Sequence, residues 1–181
     1  IVPDGNGGAI FAWERSVWPS YYYFAARIDA NCDTLWTQTI CDTTGDRTDL
    51  MVIPTSDGGM VAAWRDFRSG MDFDIYVSKI DNNGNLLWGS NGIALVDTVF
   101  DQVIYDMAET PEGDVMFTWY DGRDLLNNDI YLQKLDGTTG QALFQSQGVP
   151  VAVGPRDQIN PHMIVEDSGG VHLCWESYGE V

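Results

Sequence analysis

The feature that most constrains this chain is internal repetition. The stretch 60–88, MVAAWRDFRSGMDFDIYVSKIDNNGNLLW, returns at 115–144 as VMFTWYDGRDLLNNDIYLQKLDGTTGQALF and, more loosely, at 9–36 as AIFAWERSVWPSYYYFAARIDANCDTLW. A fourth copy opens at Val171 with VHLCWES. Trp13, Trp64, Trp119 and Trp175 occupy one repeat position, so the period is about 51 to 56 residues. A chain that repeats at this length stacks copies of one supersecondary unit, and the length is nearest that of propeller blades.

Within each copy the hydrophobic period is two. Met60 to Trp64 and its equivalents are apolar on both alternating faces, as a strand between two neighbouring sheets must be. The run 74–81, DIYVSKID, alternates and predicts a half-exposed strand. The turn Asp81-Asn82-Asn83-Gly84-Asn85 tolerates positive φ, after which Leu86-Leu87-Trp88 is expected to open a third strand. A strand at 50–55 leads through Ser56-Asp57-Gly58-Gly59 into the Trp strand. Each repeat is thus expected to be a four-stranded antiparallel meander. No long helical pattern intervenes, so the fold class is all-β, and a radial array of such sheets is a β-propeller. A linear solenoid or sandwich array fits four strands per repeat less well. The divisions expected are a partial blade at 1–43, blades at 44–98 and 99–153, and a partial blade at 154–181. The thirteen strands counted in the pattern make the chain an incomplete segment of a larger propeller, completed by the remaining blades of its parent chain. Its opening at Ile1 agrees with that reading.

The pattern D-G-G-x-x-x-A-W-x-D-x-R, followed by D-I-Y-x-x-K-I-D-x-x-G-N-x-L-W, is carried by Asp57-Gly58-Gly59, Ala63-Trp64, Asp66, Arg68, Asp74-Ile75-Tyr76, Lys79-Ile80-Asp81, Gly84-Asn85 and Leu87-Trp88. It resembles the repeats of secreted and cell-surface bacterial β-propeller proteins. The resemblance implies architecture and an extracellular or surface location, and it does not imply an activity, because propellers host unrelated functions. The first repeat departs furthest: Arg15 and Val17 stand at the Asp and Arg positions, and Cys32 replaces the turn glycine.

Composition narrows the partners. Twenty-seven acidic residues against nine Lys and Arg give a net charge of −18, which excludes a phosphate-binding basic patch and hence nucleic acid. No apolar run reaches the roughly 18 residues of a membrane span. Cys32 and Cys41 are too far apart along one strand for a disulfide, and Cys174 is expected to fill a small buried position.

A residue that recurs in every repeat builds the repeat, whereas a ligand site breaks the symmetry. Asp66 with Arg68 and Asp121 with Arg123 are therefore expected to brace loops, as are Asp74 and Asp129, and Gln102 and Gln158. Asp81, Asn83 and Asn85 reproduce the first half of a calcium loop, but Gly92 stands where the closing Glu belongs. A hairpin turn explains them, so no cofactor is expected, and these three residues are what a calcium ion would use. His162 and His172 have no zinc-type spacing, and no nucleophile elbow, HExxH or phosphate loop is present.

What does break the symmetry is the loop after each Trp strand: Val17 to Tyr23 in the first repeat, Phe67, Met71 and Phe73 in the second, Leu125 to Asn128 in the third. The linkers 97–102 and 154–158 are expected on the same face. Trp18, Tyr21, Tyr22, Phe67 and Phe73, with Arg68 and Arg123, form the candidate ligand face, since aromatic rings among polar groups suit sugar stacking or a protein anchor. The function expected is a non-catalytic binding or display module for a glycan or protein. The alternatives are part of a glycoside hydrolase or lyase whose catalytic acids lie outside this segment, and a structural part of an extracellular assembly.

Overall fold

The computed structural model describes residues 1–124 and 126–179. Their elements are strands only, and no helix among them is long and apolar enough to cross a membrane. The first sheet contains β1 (Val2–Pro3), β2 (Ala9–Val17), β3 (Ser20–Ile28) and β4 (Thr34–Cys41). The second contains β5 (Arg47–Pro54), β6 (Met60–Asp66), β7 (Asp74–Ile80) and β8 (Ile93–Val96). The third contains β9 (Gln102–Glu109), β10 (Val115–Asp121), β11 (Asp129–Leu135) and β12 (Val149–Ala152), and β13 (Asp157–Val165) pairs with β14 (Val171–Tyr178) in a two-stranded sheet. In every sheet, strands adjacent in the chain are adjacent in space, and the registered pairs are antiparallel.

Several expectations change. The first sheet has a fourth strand the repeat pattern did not show, because Val2 and Pro3 pair with Ile10 and Ala9. In the second repeat the outermost strand starts at Ile93 rather than Leu86. Leu86 makes only an isolated bridge to Ile80, and Gly89 and Asn91, both at positive φ, turn the chain before the strand begins. β7 is buried at every position but Tyr76, not half-exposed. Lys79 tolerates this because its Nζ reaches Asp57 at 3.2 Å. In the β13–β14 hairpin His172 lies opposite Ile164 and His162 opposite Cys174. Cys174 is exposed, because β14 has β13 alone as its registered partner.

Two compact units divide the chain: Ile1–Gly70 with Tyr76–Ala94, and Met71–Ile75 with Leu95–Val181. In the first unit, Ile10, Tyr23, Ala25 and Ile40 of the first sheet pack on Met60, Ala62 and Trp64 of the second. The Tyr23 ring meets Trp64 edge-on at 5.8 Å between centroids. This is the alternate-residue face that a period of two supplies. In the second unit β13 lies against β9 and β10, around Ile104, Met107, Phe117, Trp119 and Met163.

The buried Trp rings set the turn chemistry that follows β11. Gly148 has φ +83, and a Cβ there would stand 2.4 Å from a ring carbon of Trp119. Gly113 has a similar φ of +86 but nothing within 4 Å of its would-be Cβ. Gly113→Ala therefore measures the backbone cost alone, and Gly148→Ala adds an overpacking cost of about 1–3 kcal/mol. Thermal or denaturant unfolding should show Gly148→Ala clearly the less stable. Equal losses would mean the Trp119 contact does not constrain the turn.

Candidate functional site

The side chains after the Trp strands of the second and third sheets form a closed brace. Asp66 ends β6, and its Oδ2 accepts from the Trp64 indole Nε1 at 2.8 Å, Arg47 Nε at 2.8 Å and Arg68 Nη2 at 2.6 Å. Its Oδ1 accepts from the Arg68 amide at 2.9 Å. The Arg68 guanidinium then lies over the Tyr76 ring, 3.7 Å from its centre, and donates to the Asn91 carbonyl at 3.0 Å. Trp64 and Tyr76 are stacked. In the third sheet the same parts recur: Trp119 Nε1 donates to Asp121 at 3.0 Å, and Arg123 lies 3.9 Å over Tyr131 and donates to the Gln147 carbonyl at 3.0 Å. Burial alone would raise the Asp66 carboxyl pKa. Hydrogen bonds from Arg68 and Trp64, with the charges of Arg68 and Arg47, outweigh it and hold the group below the usual carboxylate range.

A second repeated device ties each loop to the linker that follows. In the second unit the Phe73 amide donates to Asp101 Oδ1 at 2.9 Å, and the Gln102 amide returns a bond to the Phe73 carbonyl at 3.0 Å. The Asn128 amide donates to Asp157 Oδ1 at 2.8 Å, and the Gln158 amide donates to the Asn128 carbonyl at 2.7 Å. The Gln102 amide nitrogen donates to the Thr98 carbonyl at 3.1 Å, and that of Gln158 donates to the Arg156 carbonyl at 3.2 Å. Arg47 sits at the same register position in the second sheet and reaches the Thr43 carbonyl at 2.9 Å.

Between these clasps the second unit has an open cavity of about 620 Å³. Asp72, Asp101, Asp157, Asn127 and Asn128 line it with Met71, Phe100 and Leu126. Met71 and Leu126 are more than four-fifths exposed. Each carboxylate is fixed through one oxygen by a backbone amide, Asp72 Oδ2 by that of Phe100 at 2.7 Å. Rigid carboxylates and carboxamides around exposed apolar side chains can accept hydroxyl protons while covering a C–H face.

The expected residues fall differently. Val17 ends β2, and only Trp18 and Pro19 form the turn before β3, so Tyr21 and Tyr22 are strand residues, not loop residues. Aromatic and β-branched side chains there favour the extended chain. Phe24, stacked on Trp13 at 5.8 Å, takes the Tyr76 position. Trp18 is 86% exposed. Phe67 is half-buried, its amide donating to the Asp46 carbonyl. Arg68 and Arg123 are held inside the braces, Phe73 enters through its backbone clasp, and Tyr22 lines a cavity on the first sheet. Leu125 lies outside the described residues. Asp81 accepts from the amides of Asn83 and Asn85 through Oδ1 and from the Asn85 side chain through Oδ2, the geometry of an Asx turn. Phe100, Asp72, Asp101 and Asp157 were not among the expected site residues. The signal for them was the placement of the linkers on the aromatic-loop face.

No family model matches the chain, and no curated protein matches it. Among solved structures, a protein of unknown function from Dyadobacter fermentans aligns with a TM-score of 0.63 at 15% identity, over 98% of this chain and 61% of that one. An endo-arabinase from Bacteroides thetaiotaomicron aligns with a TM-score of 0.50 at 13% identity, over 93% and 66%. An α-L-arabinanase from Penicillium chrysogenum, complexed with arabinobiose, aligns at 0.52 and 10% identity, over 92% and 53%. The chain spans less than two thirds of the length of each. At these identities the likeness is one of fold.

Asp66 supplies a direct test of the brace. Its pKa is lower in the folded than in the unfolded chain, so its contribution is complete above about pH 4, the ordinary carboxyl value. That contribution is lost as pH falls through the depressed folded value. Asp66→Asn should cost about 3–5 kcal/mol at neutral pH, as breaking a buried pair does. It should also flatten the acid limb of a stability-against-pH curve measured by denaturant unfolding.

Proposed function

We propose that this chain is a segment of a β-propeller that binds a glycan, without transforming it, through the loops and linkers lining the second unit's cavity. The parent is a secreted or cell-surface bacterial protein that supplies the remaining blades. Consecutive four-stranded meanders packed face to face are what a propeller requires. The observation that carries the ligand class is the cavity lining: Asp72, Asp101, Asp157, Asn127 and Asn128 around Met71, Phe100 and Leu126. A sugar ring offers hydroxyls at its edge and C–H groups on its face, and such a lining answers both. Two solved structures that share the fold are an endo-arabinase and an α-L-arabinanase complexed with arabinobiose, which makes arabino-oligosaccharides the first probes.

One observation favours an enzyme instead. Asp129 is buried, and burial, with the nearby Asp124 and Asp121 carboxylates, holds its carboxyl above the usual range despite bonds from Gly154 and Asn127. A carboxyl whose proton is held more tightly than usual is the kind of group a general acid needs. Its repeat equivalent Asp74 is equally buried, however, and recurrence marks both as parts of the repeat.

Calorimetric titration of the full chain with arabino-oligosaccharides should show saturable binding that Phe100→Ala and Asp157→Ala each weaken at least tenfold, about 1.4 kcal/mol. Linear arabinan incubated with the protein should release no reducing ends. Release that Asp129→Asn abolishes would replace binding with hydrolysis, and the absence of binding to arabino-, xylo- and gluco-oligosaccharides alike would overturn the glycan reading.

A further inference from the structure

The polar part of the second unit's cavity wall is made of acceptors. Asp72, Asp101 and Asp157 line it, and no Lys, Arg or His does. Arg156, the residue before Asp157, lines an adjoining recess instead. The backbone amides around the opening are turned toward the protein's own carboxylates. The Phe100 amide donates to Asp72 Oδ2 at 2.7 Å, and the Asn128 amide to Asp157 Oδ1 at 2.8 Å. Those of Leu126 and Asn127 both go to Asp124 Oδ1, at 3.2 and 3.4 Å.

The carboxamides are committed in the same way. Asn127 spends its two side-chain protons on Asp129 Oδ1 and the Gly154 carbonyl. Asn128 gives one of its two to Asp157 Oδ1 at 3.3 Å. One amide proton is thus left beside three carboxylates, and an ionised carboxylate only accepts. Among the described residues, nothing donates to Asp157 Oδ2. The internal bonds also hold the acceptors in place before a ligand arrives, which lowers the ordering cost of binding.

Such a wall sorts ligands by charge. A sugar hydroxyl is donor and acceptor at once, and here its acceptor half finds little to answer it. An ammonium has three protons to give and no acceptor to satisfy, and its hydrogen bonds to a carboxylate are roughly twice as strong as neutral ones. A uronate or sulfate would meet like charge. A bare metal ion does not fit, since among the described residues no three acidic, His or Cys side chains converge closely enough to hold one. The negative charge is instead spread around an opening of about 620 Å³, which suits cationic groups spaced along an oligosaccharide. We propose that this cavity prefers a glycan built of amino sugars, with glucosamine-type ammonium groups against Asp72, Asp101 and Asp157 and a ring C–H face on Phe100. The inference rests on the glycan reading above and adds to it the charge of the sugar.

The test compares two sugars that differ in that group alone. The full chain is titrated calorimetrically at about pH 5.5, below the range in which amines lose their proton, and in about 0.15 M salt, which screens charges beyond about 8 Å. The β-1,4-linked tetrasaccharide of glucosamine should bind at least tenfold more tightly than cellotetraose, which carries a hydroxyl where each ammonium stands. Asp72→Asn and Asp157→Asn keep an oxygen for the loop amide and remove the charge, so each should cut that preference at least threefold, while Phe100→Ala should weaken both sugars. Cellotetraose binding as tightly as the glucosamine oligomer overturns the proposal whether or not the variants fold, and so does a preference unchanged in both Asn variants. Tetralysine binding as tightly as the amino sugar would reduce the effect to attraction of any polycation by a chain of net charge −18, and would also overturn it. Neutral oligosaccharides bound without preference for the amine would sink this inference and leave the glycan reading standing; no saccharide bound at all would sink both.

Discussion

A carboxylate with no exposed surface, Asp66 or Asp121, collects the indole N–H of a buried Trp and the guanidinium of an Arg two residues on. Most of the architecture depends on that contact. Burying such a charge is costly unless its lone pairs are filled, and here the chain fills them with donors that each have a second task. The indole is the centre of the sheet's packing face. The guanidinium covers the Tyr ring of the next strand and closes the outer loop through a carbonyl. One ion thereby links the Trp strand, the Tyr strand and the loop before the outermost strand. A glycine at positive φ follows because the Trp ring leaves no room for a Cβ.

Much of this was legible in the residues. A Trp recurring at a fixed interval, apolar on both sides, announces a strand between sheets, and Asp-x-Arg after it announces the brace, because few partners other than each other can satisfy both in a buried place. The outermost strands were less legible. Leu86-Leu87-Trp88 has strand composition, but Gly89 and Asn91 turn the backbone first, and local propensity does not record where a sheet's ladder resumes. Tyr21 and Tyr22 look like a loop beside Trp18 and Pro19, yet a two-residue turn returns them at once to β3, paired with Ser16 and Arg15. The buried Lys79 shows the same limit, since its partner Asp57 is distant in sequence and invisible to periodicity.

The candidate site follows from where the repeat is broken. In the second unit the clasps that join loop to linker are regular, and what varies is the side chains they present: Met71, Phe100, Leu126 and the Asn127-Asn128 pair. In the first unit the break is sharper, since three positions that carry Asp, Arg and Gly in the second and third repeats carry Arg15, Val17 and Cys32. The first two exchanges are related physically. Without the carboxylate there is nothing to hold a guanidinium over the ring. The likeness to solved structures at 10–15% identity fits this division, because a shared fold is carried by the braces and sheets while the side chains around the openings are free to differ.

The central claim is that the Asp-Arg brace stabilises the sheets that carry it. It is tested most directly by restoring the brace, with Arg15→Asp and Val17→Arg introduced together and unfolding followed by heat or denaturant. The account predicts a higher melting temperature for the double substitution than for the native chain, a smaller gain or a loss for each single substitution, and protection of Trp13 from solvent quenchers. A double substitution no more stable than the sum of its parts, with Trp13 as accessible as before, would contradict it.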